Sequence, residues 1–132
     1  GDVTLLKVQH VSQQGGRLDI ATVPTQILVD TTRKPFFELR SGTAFDQWRN
    51  ALDDALSRIE KFAPRYVVVS LGVDAYENDP ISFFKLNSED FFTTGKMIGK
   101  QGIPTLFVME GGYAVEEIGI NTVNVLDGFE SV

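Results

Sequence analysis

No cysteine occurs among the 132 residues, which excludes disulfides, a Cys-rich zinc site and a thiol nucleophile. Histidine occurs once, at His10. One imidazole makes a Ser-His triad an unfavoured reading and excludes a multi-His metal site within one chain. Basic charge is in deficit: 12 Lys and Arg against 18 Asp and Glu leave a net charge of −6. Neutralising phosphates needs a basic surface, so nucleic acid is not an expected partner. No run of 18 apolar residues exists to span a bilayer, so no membrane partner is expected. No basic stretch leads into an apolar one as in a secretory signal, and a cytoplasmic location is the expectation. Gly1 stands where an initiator Met would and reads as a cleavage scar.

What is present is ordinary for a globular protein: 42% hydrophobic and 23% charged residues. A chain of this size buries roughly two-thirds of its unfolded surface, enough for a core without covalent staples. Residues 1–132 read as one domain, with a β-rich segment over 1–40 and an α/β segment over 41–132.

In the first segment, Val3 to Val11 is a strand of β-branched and apolar residues. Gln13-Gln14-Gly15-Gly16 is a hairpin turn signal, and Arg17 to Val23 alternates as its second strand. Pro24 interrupts. Gln26 to Thr31 is a third strand candidate, and Lys34-Pro35 breaks regular structure.

In the second segment, Thr43 with Asp46 three residues on approximates a capping box. Phe45, Trp48, Leu52, Ala55, Ile59 and Phe62 then follow at helical spacing until Pro64. Tyr66 to Gly72 is a continuous apolar run, as expected of a strand buried on both faces. A long loop, Val73 to Leu86, leads to a helix that Asn87 can cap, with Glu89 and Asp90 in its first turn. Gly95 and Gly99 weaken this helix by about 1 kcal/mol each against Ala, and Gly102 ends it. Thr105 to Met109 is a second buried strand, ending at Glu110-Gly111-Gly112-Tyr113. A last helix carries Val115, Ile118, Thr122, Val125, Leu126 and Phe129 on one face. Helices between strands imply parallel pairing with right-handed crossovers, and a sheet covered by helices on its faces.

Ligands of such sheets bind beyond the carboxyl ends of the strands. There the two runs end in Leu71-Gly72-Val73-Asp74 and Glu110-Gly111-Gly112-Tyr113. A carboxylate can hold a metal, and a phenol can hydrogen-bond a carbonyl or oxyanion. On spacing alone the structural alternatives are the commoner ones. An Asp after a strand caps a turn, Gly-Gly-Tyr is a turn with Tyr as its wall, and His10 is a structural or surface histidine. Phe83-Phe84 and Phe91-Phe92 are packing residues, and the scattered acids form a solvated face.

Three stretches change that balance: Val67 to Asp74, Glu77 to Leu86, and Val108 to Tyr113. In order and spacing they resemble the acetylpolyamine amidohydrolases, bacterial relatives of the histone deacetylases. The likeness covers about residues 41–130, including the helix around Trp48 and the last helix with Ile118 and Asn121. The resemblance implies the arginase-deacetylase fold, a parallel sheet sandwiched by helices. It implies hydrolysis of acetyl-amides with one zinc ion held by two aspartates and a histidine. Adjacent histidines handle protons, and a tyrosine polarises the carbonyl. Carried over, Asp74 matches the second zinc-ligand aspartate and Tyr113 the polarising tyrosine. Gly111 and Gly112 match the glycines of the tyrosine loop, and Asp79 and Pro80 the loop after the metal ligand. Glu110 precedes the glycines.

The family's Asp-x-Asp-x-His-His-Gly-type segment and its histidine pair have no counterpart in this sequence. His10 does not match the metal motif, and the first 40 residues do not match the family. The expectation is therefore a truncated α/β relative in which N-terminal strands are added to the sheet. No cofactor is expected for the isolated chain, although zinc serves the family. No independent hydrolase activity is expected, and self-association covers the exposed edges. The alternatives are a zinc deacetylase completed by a partner chain, and a binding module for cationic or acetylated polyamine-like molecules. In that module Glu77, Asp79, Glu110, Glu116 and Glu117 would supply negative charge.

Overall fold

The structure is a computed structural model that describes residues 3–7, 17–19 and 36–132, with side-chain surroundings given from residue 39 onward. Its elements in chain order are β1 (Val3–Lys7), β2 (Arg17–Asp19), β3 (Phe36–Glu38), α1 (Phe45–Phe62), β4 (Tyr66–Leu71), α2 (Ser88–Gly99), β5 (Thr105–Met109) and α3 (Ile118–Glu130).

The main sheet has the order β1-β4-β5, with both pairings parallel. Val3 stands opposite Tyr66 and Lys7 opposite Ser70. On the other side Val67 stands opposite Thr105 and Leu71 opposite Met109. An N-terminal strand thus extends the β4–β5 pair, as expected. Among the described residues the first two strands do not pair as the expected hairpin. β1 joins the main sheet, and β2 pairs antiparallel with β3 in a separate two-stranded ribbon. β3 falls just after Lys34-Pro35, where the proline suggested a break. Proline is tolerated beside a short edge strand, which needs no amide donor there. His10, the Gln13 to Gly16 turn and the Gln26 to Thr31 candidate lie outside the described residues.

α1 forms because its apolar residues recur at helical spacing, and it buries Trp48, Ala51, Leu52, Ala55, Leu56 and Ile59. Leu52 is fully buried, and truncating it to Ala would cost about 2–5 kcal/mol. The capping box expected at Thr43 is absent: the cap position is Ala44 and makes no side-chain bond. The Thr43 hydroxyl is spent donating to the Arg40 carbonyl. At the other end Ala63 takes a left-handed conformation (φ 52°), and Pro64 follows. α2 is capped as expected. The Asp90 amide donates to the Asn87 side chain, and the Asn87 amide donates to the Asp90 carboxylate.

Side chains on the face of the sheet carrying Val67, Val69, Leu71 and Phe107 meet the helices. These residues share one apolar core with the buried residues of α1 and α2. Phe107 meets Phe129 of α3 edge-on, with centroids 5.2 Å apart. Successive strand residues point to opposite faces, so Tyr66, Val68, Leu106 and Val108 lie on the other face. There Leu106 is 59% and Val108 45% exposed, while Ser70 of β4 is buried. This corrects the expectation that β5 is a buried strand. β4 itself, central in the sheet, is buried along most of its length, as its apolar run predicts.

α3 turns most of its expected face inward: Val125 is in the core, and Ile118 and Phe129 pack against it. Asn121, Val125 and Gly128 are its buried residues, while Leu126 and Val115 are exposed. The contact is made by backbone rather than by bulk: Gly95, Gly99 and Gly128 sit where α2 and α3 approach too closely for side chains. Of the two phenylalanine pairs, Phe84 and Phe91 are core residues, and Phe92 is exposed.

Candidate functional site

β4 and β5 end at the same edge, and their loops run on side by side. The Glu110 amide donates to the Leu71 carbonyl and the Val73 amide to the Gly111 carbonyl, both at 2.8 Å. The pairing of the two strands therefore continues past their ends and carries Asp74 and the Gly111-Gly112-Tyr113 loop to one place.

Asp74 is half-buried. Its carboxylate lies in a gap made by two glycines. A Cβ on Gly111 would stand 2.5 Å from Oδ2, and one on Gly72 would stand 2.9 Å from Oδ1. A Cβ on Gly112 would come within 2.7 Å of the Val73 side chain. Both glycines of the tyrosine loop are thus required by close approach, which gives a physical reason for the Gly111-Gly112 pair.

The loop after Asp74 is long but braced. Ala75 to Glu77 is bonded to Leu86 through the Leu86 amide to the Ala75 carbonyl and the Glu77 amide to the Leu86 carbonyl. The Lys85 amide donates to the Thr43 carbonyl, and Asn78 donates to the Tyr76 phenol oxygen at 3.1 Å. Within this loop Asp79 is only 6% exposed. Its Oδ1 accepts the Ile81 amide at 3.0 Å, and its Oδ2 accepts the amides of Tyr113 at 2.7 Å and Ala114 at 3.1 Å. Pro80 follows it, exposed.

Tyr113 is 51% exposed, and Glu110 is also exposed. Of the acids expected to charge a pocket, Glu77 and Glu116 are exposed and Glu117 is half-buried at the start of α3. Asp79 is the buried member of that set, with both oxygens accepting backbone amides. The sequence marks Asp79 only as a loop residue; its link to Tyr113 spans 34 positions and is invisible to any local pattern.

No group of three metal-ligating side chains occurs among the described residues. A zinc centre of the catalytic kind needs three protein ligands and an open position. Asp74 is one donor, so the described residues do not complete such a centre.

The parallel sheet and the loops bonded together beyond its carboxyl edge are those of a deacetylase-like α/β protein. The histone deacetylase domain model matches residues 31–129, and the chain belongs to that family. It is 56% identical over 94 residues to acetylpolyamine amidohydrolase 1 of Pseudomonas aeruginosa, covering 71% of this chain and 27% of that protein. It is 53% identical over 92 residues to acetylpolyamine amidohydrolase of Mycoplana ramosa, covering 70% of this chain and 27% of that one. In fold it matches the crystal structure of acetylpolyamine aminohydrolase from Burkholderia pseudomallei with TM-score 0.67 and 35% identity, over 69% of this chain and 27% of that chain. The chain thus spans about a quarter of the length of the relatives it matches.

Proposed function

We propose that this chain carries the Asp74–Tyr113 half of an acetyl-amide hydrolase site and does not hydrolyse acetyl-amides by itself. The observation behind the reading is the backbone bonding that holds the two loops together beyond one sheet edge. As water adds to an amide, the carbonyl oxygen gains negative charge, and a donor placed there lowers the barrier. The Tyr113 hydroxyl is that donor. Asp74 would be one of the residues holding the zinc on which the family depends, whose chemistry there would be to activate water and polarise the carbonyl. The remaining ligands and the proton-transfer groups come from a part of the site outside the described residues. Acetylated polyamines are the substrate class, by analogy with the named relatives. The exposed Glu77, Glu110 and Glu116 favour a cationic ligand near the loops. A cytoplasmic location and self-association belong to the same proposal.

Metal analysis and an acetyl-amide hydrolysis assay on the purified chain test the first half, with neither stoichiometric zinc nor turnover expected. The second half needs a chimera. The 94 matched residues replace their counterparts in the Pseudomonas aeruginosa relative. The chimera is expected to hydrolyse an acetylated polyamine and to lose about 10²–10³ in kcat on Tyr113→Phe. Zinc-dependent turnover by the chain alone would overturn the incompleteness. An active chimera indifferent to Tyr113→Phe would overturn the role of the tyrosine.

A further inference from the structure

We infer that Asp79 is a positioning residue that sets the orientation of Tyr113 and locks it to the loop carrying Asp74; this rests on the reading of Tyr113 as the carbonyl-polarising donor. A buried carboxylate must find hydrogen-bond donors, and Asp79 finds three backbone amides. Two of them, from Tyr113 and Ala114, converge on the single oxygen Oδ2. Two successive amides aimed at one atom leave the Tyr113 backbone little freedom, and with it the direction in which its side chain leaves the chain. Before Tyr113 the Val73 amide holds the loop at the Gly111 carbonyl, and Gly111 and Gly112 have no side chains to add to it. The third amide, from Ile81, occupies Oδ1 and fixes the carboxylate within its own loop. The Asp79 backbone is held as well. Its amide donates to the Tyr76 carbonyl and its carbonyl accepts the Ser82 amide, both at 3.0 Å. The clamp therefore joins a rigid turn five residues after Asp74 to the base of the tyrosine.

The chemistry of the clamp requires two acceptor oxygens. Asparagine has one, so Asp79→Asn must leave either Ile81 or the Tyr113–Ala114 pair facing an NH₂ group. Alanine has none.

Amide hydrogen exchange on the full 132-residue chain tests the clamp without any assay of activity. Asp79→Asn and Asp79→Ala are expected to lower protection of the Tyr113 and Ala114 amides at least about tenfold, as local opening becomes easy. Amides in β4 and α2 are expected to keep theirs. Should Asp79→Ala fail to fold, Asp79→Asn carries the test. In the chimera, Asp79→Asn is expected to lower kcat by up to about 10²-fold with KM unchanged, as for a misplaced catalytic group. Unchanged protection of both amides, or a loss spread evenly through β4 and α2, would overturn the clamp. An equal fall in kcat and rise in KM would overturn its positioning role. An inactive parent chimera would defeat the proposed function alone, and the exchange data would still judge the clamp.

Discussion

Gly95 of α2 and Val125 of α3 meet so closely that a side-chain carbon on Gly95 would stand 2.7 Å from the Val125 carbonyl carbon and 2.9 Å from its Cα. In an isolated helix Gly95→Ala would be stabilising by about 1 kcal/mol. Here packing reverses the sign, because the clash is with backbone that cannot swing aside. Gly95→Ala is expected to destabilise the chain by about 1–3 kcal/mol, the usual cost of overpacking. Gly119→Ala is the control. Gly119 lies in α3 with nothing within 4 Å of the added carbon, and it is expected to stabilise by up to about 1 kcal/mol. Urea denaturation midpoints of the two variants should move in opposite directions.

Asp90 gives a pH signature. Burial raises its pKa from the ordinary 3.8, with the nearby acids Glu77, Glu89 and Asp46 adding to the rise and the Asn87 amide opposing it. The folded state thus holds this proton more tightly than the unfolded chain does. Stability from this group is fully present below pH 3.8 and is lost as pH rises through the raised value. Asp90→Asn keeps an acceptor for the Asn87 amide and removes the titration. Relative to the parent, the variant is expected to gain stability between pH 3.8 and neutrality. Unfolding midpoints measured over that range check it, and a constant difference would show that Asp90 does not titrate differently on folding.

The proposed self-association would have a specific origin in the sheet. β5 pairs with β4 alone among the described strands, and beside it Leu106 and Val108 are open to solvent. Exposed apolar edges recruit further strands. Light scattering at micromolar concentration is expected to show a dimer or larger species, and Leu106→Lys to shift it toward monomer. A strict monomer would sink the proposal.

Much of this was legible because the determinants are local. Trp48 to Ile59 announces α1 by spacing, Asn87 and Asp90 announce the cap of α2, and Tyr66 to Leu71 announces a buried strand. Composition cannot report which side of a sheet is covered. Thr105 to Met109 reads as buried because its residues are apolar, yet its cover depends on where helices pass. The partners of β1 and β2 were likewise set by tertiary choice, since adjacency in sequence favoured a hairpin. At the candidate site, Asp74 and Tyr113 are marked in the sequence by the motifs around them. The contacts that hold them, Asp79 to Tyr113 and Gly111 to Asp74, join segments more than thirty residues apart, where no periodicity reaches.

The Gly111–Asp74 contact separates stability from site geometry. Gly111 is not in the left-handed region, so Gly111→Ala brings no backbone penalty. Its added carbon would meet the end of the Asp74 side chain, 2.5 Å from Oδ2 and 3.0 Å from Cγ. A side-chain terminus can rotate away where a backbone cannot, so the fold is expected to lose only about 1 kcal/mol or less. The rotation moves the carboxylate from the position at which it would serve as a ligand, and metal sites tolerate displacements of only about 0.2 Å. In the chimera, Gly111→Ala is therefore expected to lower zinc content and turnover together while the unfolding midpoint hardly moves. Gly95→Ala is expected to do the reverse, lowering the midpoint with zinc content kept in the folded fraction. A Gly111→Ala chimera that retains full zinc would mean that Asp74 is not held in place by this glycine.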